Sequence, residues 1–149
     1  MMKLNYQWKN LQELTSEEMF TLFQLRQEIF VVEQDCVYLD MDEIDRGSFH
    51  LLGQEPNDER VYATLRVFAS ENDIWHIGRV ATSVMARKQG VARKMMEEAL
   101  TFLQKKSVKV VEISAQEYLL KFYESLGFKK SSDVYMLDGL PHIDMLLHF

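Results

Sequence analysis

The chain of 149 residues holds one cysteine, Cys36. It therefore forms no internal disulfide, and no Cys/His grouping has zinc spacing. A reducing cytoplasm is the expected setting. No apolar run approaches the ~20 residues that span a bilayer. Met1 to Tyr6 has no apolar h-region, so no signal peptide is expected. Basic charge is in the minority: 17 Lys and Arg stand against 23 Asp and Glu, for a net charge of −6. That balance argues against a general nucleic-acid binder, which carries a basic face. Neither G-x-x-x-x-G-K-[ST] nor G-x-G-x-x-G occurs, so a P-loop and a dinucleotide fingerprint are both missing. Repeats, linkers and low-complexity segments are also missing.

What is present suits one domain, residues 1–149, with one respectable core. Nearly half of the residues, 47%, are apolar and 27% are charged, the proportions of an ordinary globular protein. Leu4, Tyr6 and Trp8 alternate with polar residues and predict an opening strand. Thr15-Ser16-Glu17-Glu18 has the pattern of a capping box. The helix it starts carries Met19, Leu22, Phe23, Ile29 and Phe30 at helical spacing.

An acidic run follows, with Asp40, Asp42, Glu43 and Asp45. It fails as a calcium loop, because Ile44 and Asp45 occupy the positions of the third ligand and the glycine. Most of these carboxylates are expected to be solvated, though they could face a cationic substrate. Ser48–Gly53 and Val61–Phe68 read as strands around a polar turn at Pro56. A third strand is expected over Ile74–Thr82.

The chain is organised around the next stretch, Arg87-Lys88-Gln89-Gly90-Val91-Ala92-Arg93. A strand ends, a small-residue turn follows, and an amphipathic helix begins with Val91, Met95, Ala99, Phe102 and Leu103 inward. Free N–H groups and the dipole at such a helix start favour an anion. Gly90 and Ala92 let phosphates approach the backbone itself. Arg87, Lys88, Arg93 and Lys94 oppose the dipole there, which a bound polyphosphate would explain. Val108–Ser114 is a strand reached through that helix, so it should lie parallel to Ile74–Thr82. A short helix, Tyr118–Leu126, ends at Gly127. Strands near Phe128, Tyr135–Leu137 and Ile143–Phe149 close the chain. The sum is an α/β (α+β) mixed sheet: antiparallel N-terminal strands, then a central parallel pair flanked by helices. Leu147 and Phe149 are expected to pack within the chain or to pair subunits in a homodimer.

The spacing R-x-x-G-x-A, from Arg87 through Gly90 to Ala92, resembles the acetyl-CoA-binding turn of the GCN5-related N-acetyltransferases (GNAT). Phe122-Tyr123-Glu124-Ser125-Leu126-Gly127-Phe128 is similar to that family's F-Y-x-x-x-G-F segment, at the right separation. The order of elements matches the family's fold over nearly the whole chain. Val31-Val32-Glu33-Gln34 and Asp138 to Met145 resemble its ElaA-like branch.

The resemblance implies an acetyl-CoA-dependent N-acetyltransferase that acts on a primary amine of a small molecule or peptide. No metal, nucleic acid or membrane takes part. The backbone of Val80, Ala81 and Thr82 would pair with the pantetheine arm. The amides from Lys88 through Gln89, Gly90, Val91 and Ala92 to Arg93 would hold the pyrophosphate, beside the Arg87 side chain. Gln116 would add a polar contact, and Tyr123 would stand near the sulfur and protonate it as it leaves. A backbone N–H near Thr82 would stabilise the oxyanion. The family often has a general-base carboxylate on its fourth strand, yet Ile74–Thr82 contains no Asp or Glu. Glu33, Asp45, His76 and His142 are the candidates for base or substrate contact. Each has a plain structural alternative. Two rival readings stand beside the enzyme: a non-catalytic acyl-CoA-binding or sensor domain, and an interaction module with an incidental glycine turn.

Overall fold

The computed structural model describes all 149 residues. The strands are β1 (Asn5–Asn10), β2 (Phe49–Gln54), β3 (Ala63–Ala69), β4 (Ile74–Thr82), β5 (Val110–Gln116), β6 (Lys129–Lys130), β7 (Tyr135–Leu137) and β8 (Leu140–His148). The helices are α1 (Ser16–Arg26), α2 (Val91–Lys105) and α3 (Leu120–Glu124). One sheet runs β1-β2-β3-β4-β5-β8-β6, and β7 pairs with β8. Only β4 and β5 run parallel. The helix α2 makes the crossover between them, as the strand–helix–strand order requires.

Local chemistry accounts for most boundaries. Thr15 caps α1: its hydroxyl accepts from Glu18 N, and Glu18 reaches back to Thr15 N. Beyond Arg26 the helix loosens into a π-helical stretch, Gln27–Glu33. Gly127, at φ 103, follows the last turn of α3. The helix α2 buries Val91, Met95, Met96, Ala99 and Leu103 against Leu51, Leu65, Val67 and Val111. Burying side chains of this size stabilises by roughly 1.5–3 kcal/mol each. Trp8 stacks on Phe102 with ring centroids 4.2 Å apart. On the opposite face Leu22 and Leu25 of α1, with Ile29 of the π-helical stretch, pack onto Leu52, Val61 and Ala81. Leu147 is buried in the main core, so it packs within the chain.

Two irregularities shape the middle of the sheet. The β3–β4 register shifts between Thr64 and Arg66, where β4 holds an extra residue. Arg79, at φ 51, lies in that bulge. The parallel ladder of β4 and β5 is also short. It joins Ile74 to Val110, Trp75 to Val111 and His76 to Glu112, and then stops. Beyond His76 the two strands part. In β5, Val111, Ile113 and Ala115 belong to the α2 core, which leaves Glu112, Ser114 and Gln116 on the other face.

Candidate active site

The parting of β4 and β5 opens a cleft of about 590 Å³. Its floor includes Ile77, Met96, Ile113 and Tyr123; its walls include Phe30, Glu33, Tyr38, Leu137 and Leu140. One wall is the segment that follows α1. The other is the β7–β8 turn. The two touch where the Cys36 thiol donates to the carbonyl of Asp138 at 3.1 Å.

A second hollow of about 270 Å³ adjoins the cleft at Thr82 and Arg87, and is lined by Lys88, Gly90, Val91, Ala92 and Arg93. Here α2 begins. Gly90 sits at φ 75 and no side chain caps the helix, so the first-turn amides are free to meet an anion. A Cβ placed on Gly90 meets no protein atom within 4 Å. The space before these amides is open. The Arg93 side chain turns back to α3, donating to Ser125 Oγ at 2.7 Å and lying over the Phe122 ring. Arg87 Nε donates to Thr82 O at 3.3 Å.

The structure distributes the remaining candidates unevenly. Val80, Thr82, Gln116, Tyr123, Glu33, His76 and His142 line the main cleft. The side chain of Ala81 is buried against α1, so only its backbone can act at the cleft. Gln89 faces neither cavity; its Oε1 accepts from Met2 N at 2.9 Å and its Nε2 donates to Met85 O. Tyr123 is buried, and burial, with Tyr118 adding to it, pushes its phenol up to about 12. His142 Nδ1 donates to Leu140 O at 2.8 Å. His76 Nε2 lies 2.7 Å from Ser70 Oγ. Burial lowers the His76 pKa, and Glu112 and Asp144 partly oppose that effect.

Asp45 does not face the cleft, and the acidic run is not a solvated loop. Asp40 and Asp45 are buried around Arg26, itself 1% exposed. Arg26 Nε donates to Asp40 Oδ2 at 2.9 Å and Nη1 to Asp45 Oδ1 at 2.7 Å. Arg66 adds a 2.6 Å bond to Asp42. Arg79 Nε lies 2.8 Å from Asp40 Oδ1. Burial alone would raise the Asp45 carboxyl. The bond and charge of Arg26, the Asp42 amide and Arg66 together hold it down at about 2. A carboxylate held this firmly is not available as a base near neutrality.

Several groups that no motif marks also line the cleft: Tyr38, Arg79, Glu112 and Ser114. For the β5 pair a signal existed. Glu112 and Ser114 interrupt an apolar run at strand spacing, which puts them on the face away from α2. No group of three or more His, Cys, Asp or Glu is arranged to hold a metal ion, and no helix is long and apolar enough to cross a membrane.

A family model described as an acetyltransferase (GNAT) domain matches residues 11–149. The chain belongs to the GNAT acetyltransferase family, in its ElaA-like branch. Protein ElaA of Escherichia coli is 38% identical over 146 residues, which cover 93% of this chain and 94% of that one. A UPF0039 protein of Schizosaccharomyces pombe is also 38% identical, over 99% of both chains. The crystal structure of E. coli ElaA superposes with a TM-score of 0.89 over 97% of this chain and 99% of that one, at 33% identity. An acyl-CoA N-acyltransferase from Pseudomonas aeruginosa superposes with a TM-score of 0.90, at 35% identity over 97% and 99% of the chains. These relatives support an acyltransferase with an acyl-CoA donor for this GNAT chain as well.

Proposed function

We propose that this GNAT protein transfers an acetyl group from acetyl-CoA directly to a primary amine of a small molecule or peptide. One observation carries the reading. Beyond His76 the parallel ladder ends, so the Val80–Thr82 edge of β4 is left unpaired and leads straight to the open helix start at Gly90. An extended pantetheine arm matches such an edge, as an added strand would. A pyrophosphate matches the amides from Lys88 to Arg93, with the Arg87 side chain at the junction. Gln89 would contribute through its backbone alone, because its side chain is engaged elsewhere. Gln116 stands across the cleft as a further polar contact.

Acetyl-CoA supplies an activated thioester. The residues then have three tasks. A backbone N–H at the end of β4 meets the developing oxyanion. Tyr123 stays a neutral phenol at physiological pH, because its pKa lies at about 12, and so keeps a proton to give to the departing sulfur. The amine must lose its own proton, and no carboxylate on β4 is there to take it. That gap favours the rival reading of a non-catalytic acyl-CoA sensor on the same fold.

Calorimetry with acetyl-CoA tests the binding half. The wild type binds, and Gly90→Glu, still folded, does not. A screen of small primary amines tests the catalytic half. Acetyl-CoA binding with no turnover on any amine would favour the sensor; no binding at all would overturn both.

A further inference from the structure

At the point where β4 and β5 part, the last paired residues are His76 and Glu112. Register partners in a parallel ladder project from the same face, and both of these line the cleft. His76 Nδ1 lies 3.8 Å from Glu112 Oε1. On the other side of the ring Nε2 meets a hydroxyl, Ser70 Oγ, which can donate or accept. The Ser70 hydroxyl has two backbone acceptors within reach, Ile74 O at 3.1 Å and Glu71 O at 3.4 Å. A hydroxyl turned to one of those carbonyls leaves Oγ free to accept from His76 Nε2–H across the 2.7 Å contact. A neutral imidazole with its proton on Nε2 turns a bare lone pair at Nδ1 toward Glu112. In that tautomer two acceptors, 3.8 Å apart, face each other where the cleft begins, and a bound cation would meet both.

The surrounding groups leave the Glu112 charge without a lysine or arginine partner. From β3, Phe68 stacks on the imidazole with ring centroids 5.0 Å apart. The Arg66 guanidinium lies over the other ring of that pair, Phe68, and is held by Asp42 and Asp45. Arg79, in the β4 bulge, is held by Asp40 and Asp42. From β8, Asp144 accepts the Tyr135 hydroxyl at 2.5 Å, and that hydroxyl also meets Ser114. No lysine or arginine pairs with Glu112; its one basic neighbour within 4 Å is His76, which carries a charge only when protonated.

We propose that His76 and Glu112 form the seat of the acceptor's ammonium group, and that His76 Nδ1 takes its proton. This rests on the acetyltransferase reading and supplies the base that β4 otherwise lacks. A primary ammonium brings donors to both facing acceptors, and its adjoining carbon rests against Phe68. One N–H proton passes to Nδ1, and Glu112 steadies the imidazolium that forms. The freed lone pair makes the C–N bond as the C–S bond breaks. The nitrogen gives its second proton to solvent, the sulfur gains one from Tyr123, and the tyrosinate takes one back from solvent. His76 later returns its proton to solvent. Glu112 is a positioning residue in this scheme, and His76 the catalytic one.

The test is ring-nitrogen NMR on the full-length labelled protein, with His76→Asn to assign the signal and n-butylammonium as the probe. The expected spectrum shows His76 protonated on Nε2. Its titration midpoint falls by about one pH unit in Glu112→Gln, where one neighbouring charge is removed. n-Butylammonium shifts the Nδ1 resonance in the wild type and does not in Glu112→Gln. The apparent affinity of the probe declines about tenfold per pH unit below the His76 midpoint, because the protonated ring cannot accept. A proton on Nδ1, or an ammonium response that survives in Glu112→Gln, would overturn the proposal. Acetyl-CoA calorimetry on the same samples separates the two levels. With binding intact, a silent His76 removes only this assignment; without binding, the acetyltransferase reading fails and the ammonium seat fails with it.

Discussion

Arg87 Nη2 donates to both carboxylate oxygens of Glu33, at 2.8 and 2.9 Å, across 54 residues of sequence. The pair is half exposed and joins the end of the π-helical stretch to the phosphate-sized hollow. An incoming pyrophosphate meets Arg87 with a carboxylate already beside it. Exposed pairs contribute about 0–1 kcal/mol, so the competition is small and removable. Glu33→Gln is expected to tighten acetyl-CoA binding about two- to fivefold at low salt, and the gain should fade as salt screens the charge. Arg87→Gln is expected to weaken binding about tenfold or more, by loss of a charge-assisted contact. Titration calorimetry at two ionic strengths checks both.

Gly90 separates backbone cost from ligand cost. It sits at φ 75, and a methyl group added there would touch nothing within 4 Å. Gly90→Ala should therefore cost about 1 kcal/mol of stability from the left-handed backbone alone. Gly90→Glu adds a bulky anion before the free amides and should abolish acetyl-CoA binding. Denaturant melts beside binding isotherms distinguish the two effects.

Tyr123→Phe removes a hydroxyl and little else. The buried phenol ionises only at about 12, so its role at neutral pH is that of a proton donor. The variant should bind acetyl-CoA with unchanged affinity and lose about 10²-fold in kcat. Equal turnover in wild type and variant would show that the sulfur is protonated by water.

Asp45 carries a stability prediction. Its folded pKa, about 2, lies below the unfolded value. The stabilisation is therefore fully present above pH ~4 and is lost as pH falls toward 2. Asp45→Ala leaves the buried Arg26 and Arg66 charges partly uncompensated and should cost about 3–5 kcal/mol at pH 7. It should also flatten the acid limb of the stability curve. Urea melts from pH 7 to pH 2.5 read both effects, and parallel curves for the two proteins would count against the network as described.

The sequence was legible where chemistry is local. The Thr15 cap, the Ile74–Thr82 strand, the helix start after Gly90 and the stop at Gly127 all depend on residues within a few positions. The parallel crossover followed from element order alone. Residues that act across long separations were not legible in this way. Asp40 and Asp45 read as solvated because their partners, Arg26 and Arg66, lie on other elements. The bulge at Arg79 has one local signal, the isolated Gly78 just before it in the strand, which allows a bulge but does not say which way the strand bends. The motifs point to the turn at Gly90 but not to the β5 wall of the cleft, because Glu112 gains its meaning only when His76 is set opposite it.

The brevity of the β4–β5 ladder has a mechanical side. Three residue pairs, from Ile74–Val110 to His76–Glu112, are the whole backbone stitching between the first four strands and the last four. Packing on α2 and the Cys36–Asp138 contact must hold the two banks together elsewhere. The opening that admits a ligand is thus also the line along which the sheet is easiest to tear. A molecule lying in it touches both banks at once and adds rungs where the ladder runs out. Proteolysis and amide exchange should accordingly slow along Ile77–Thr82 and Ile113–Gln116 when the cleft is filled, well beyond the residues in direct contact.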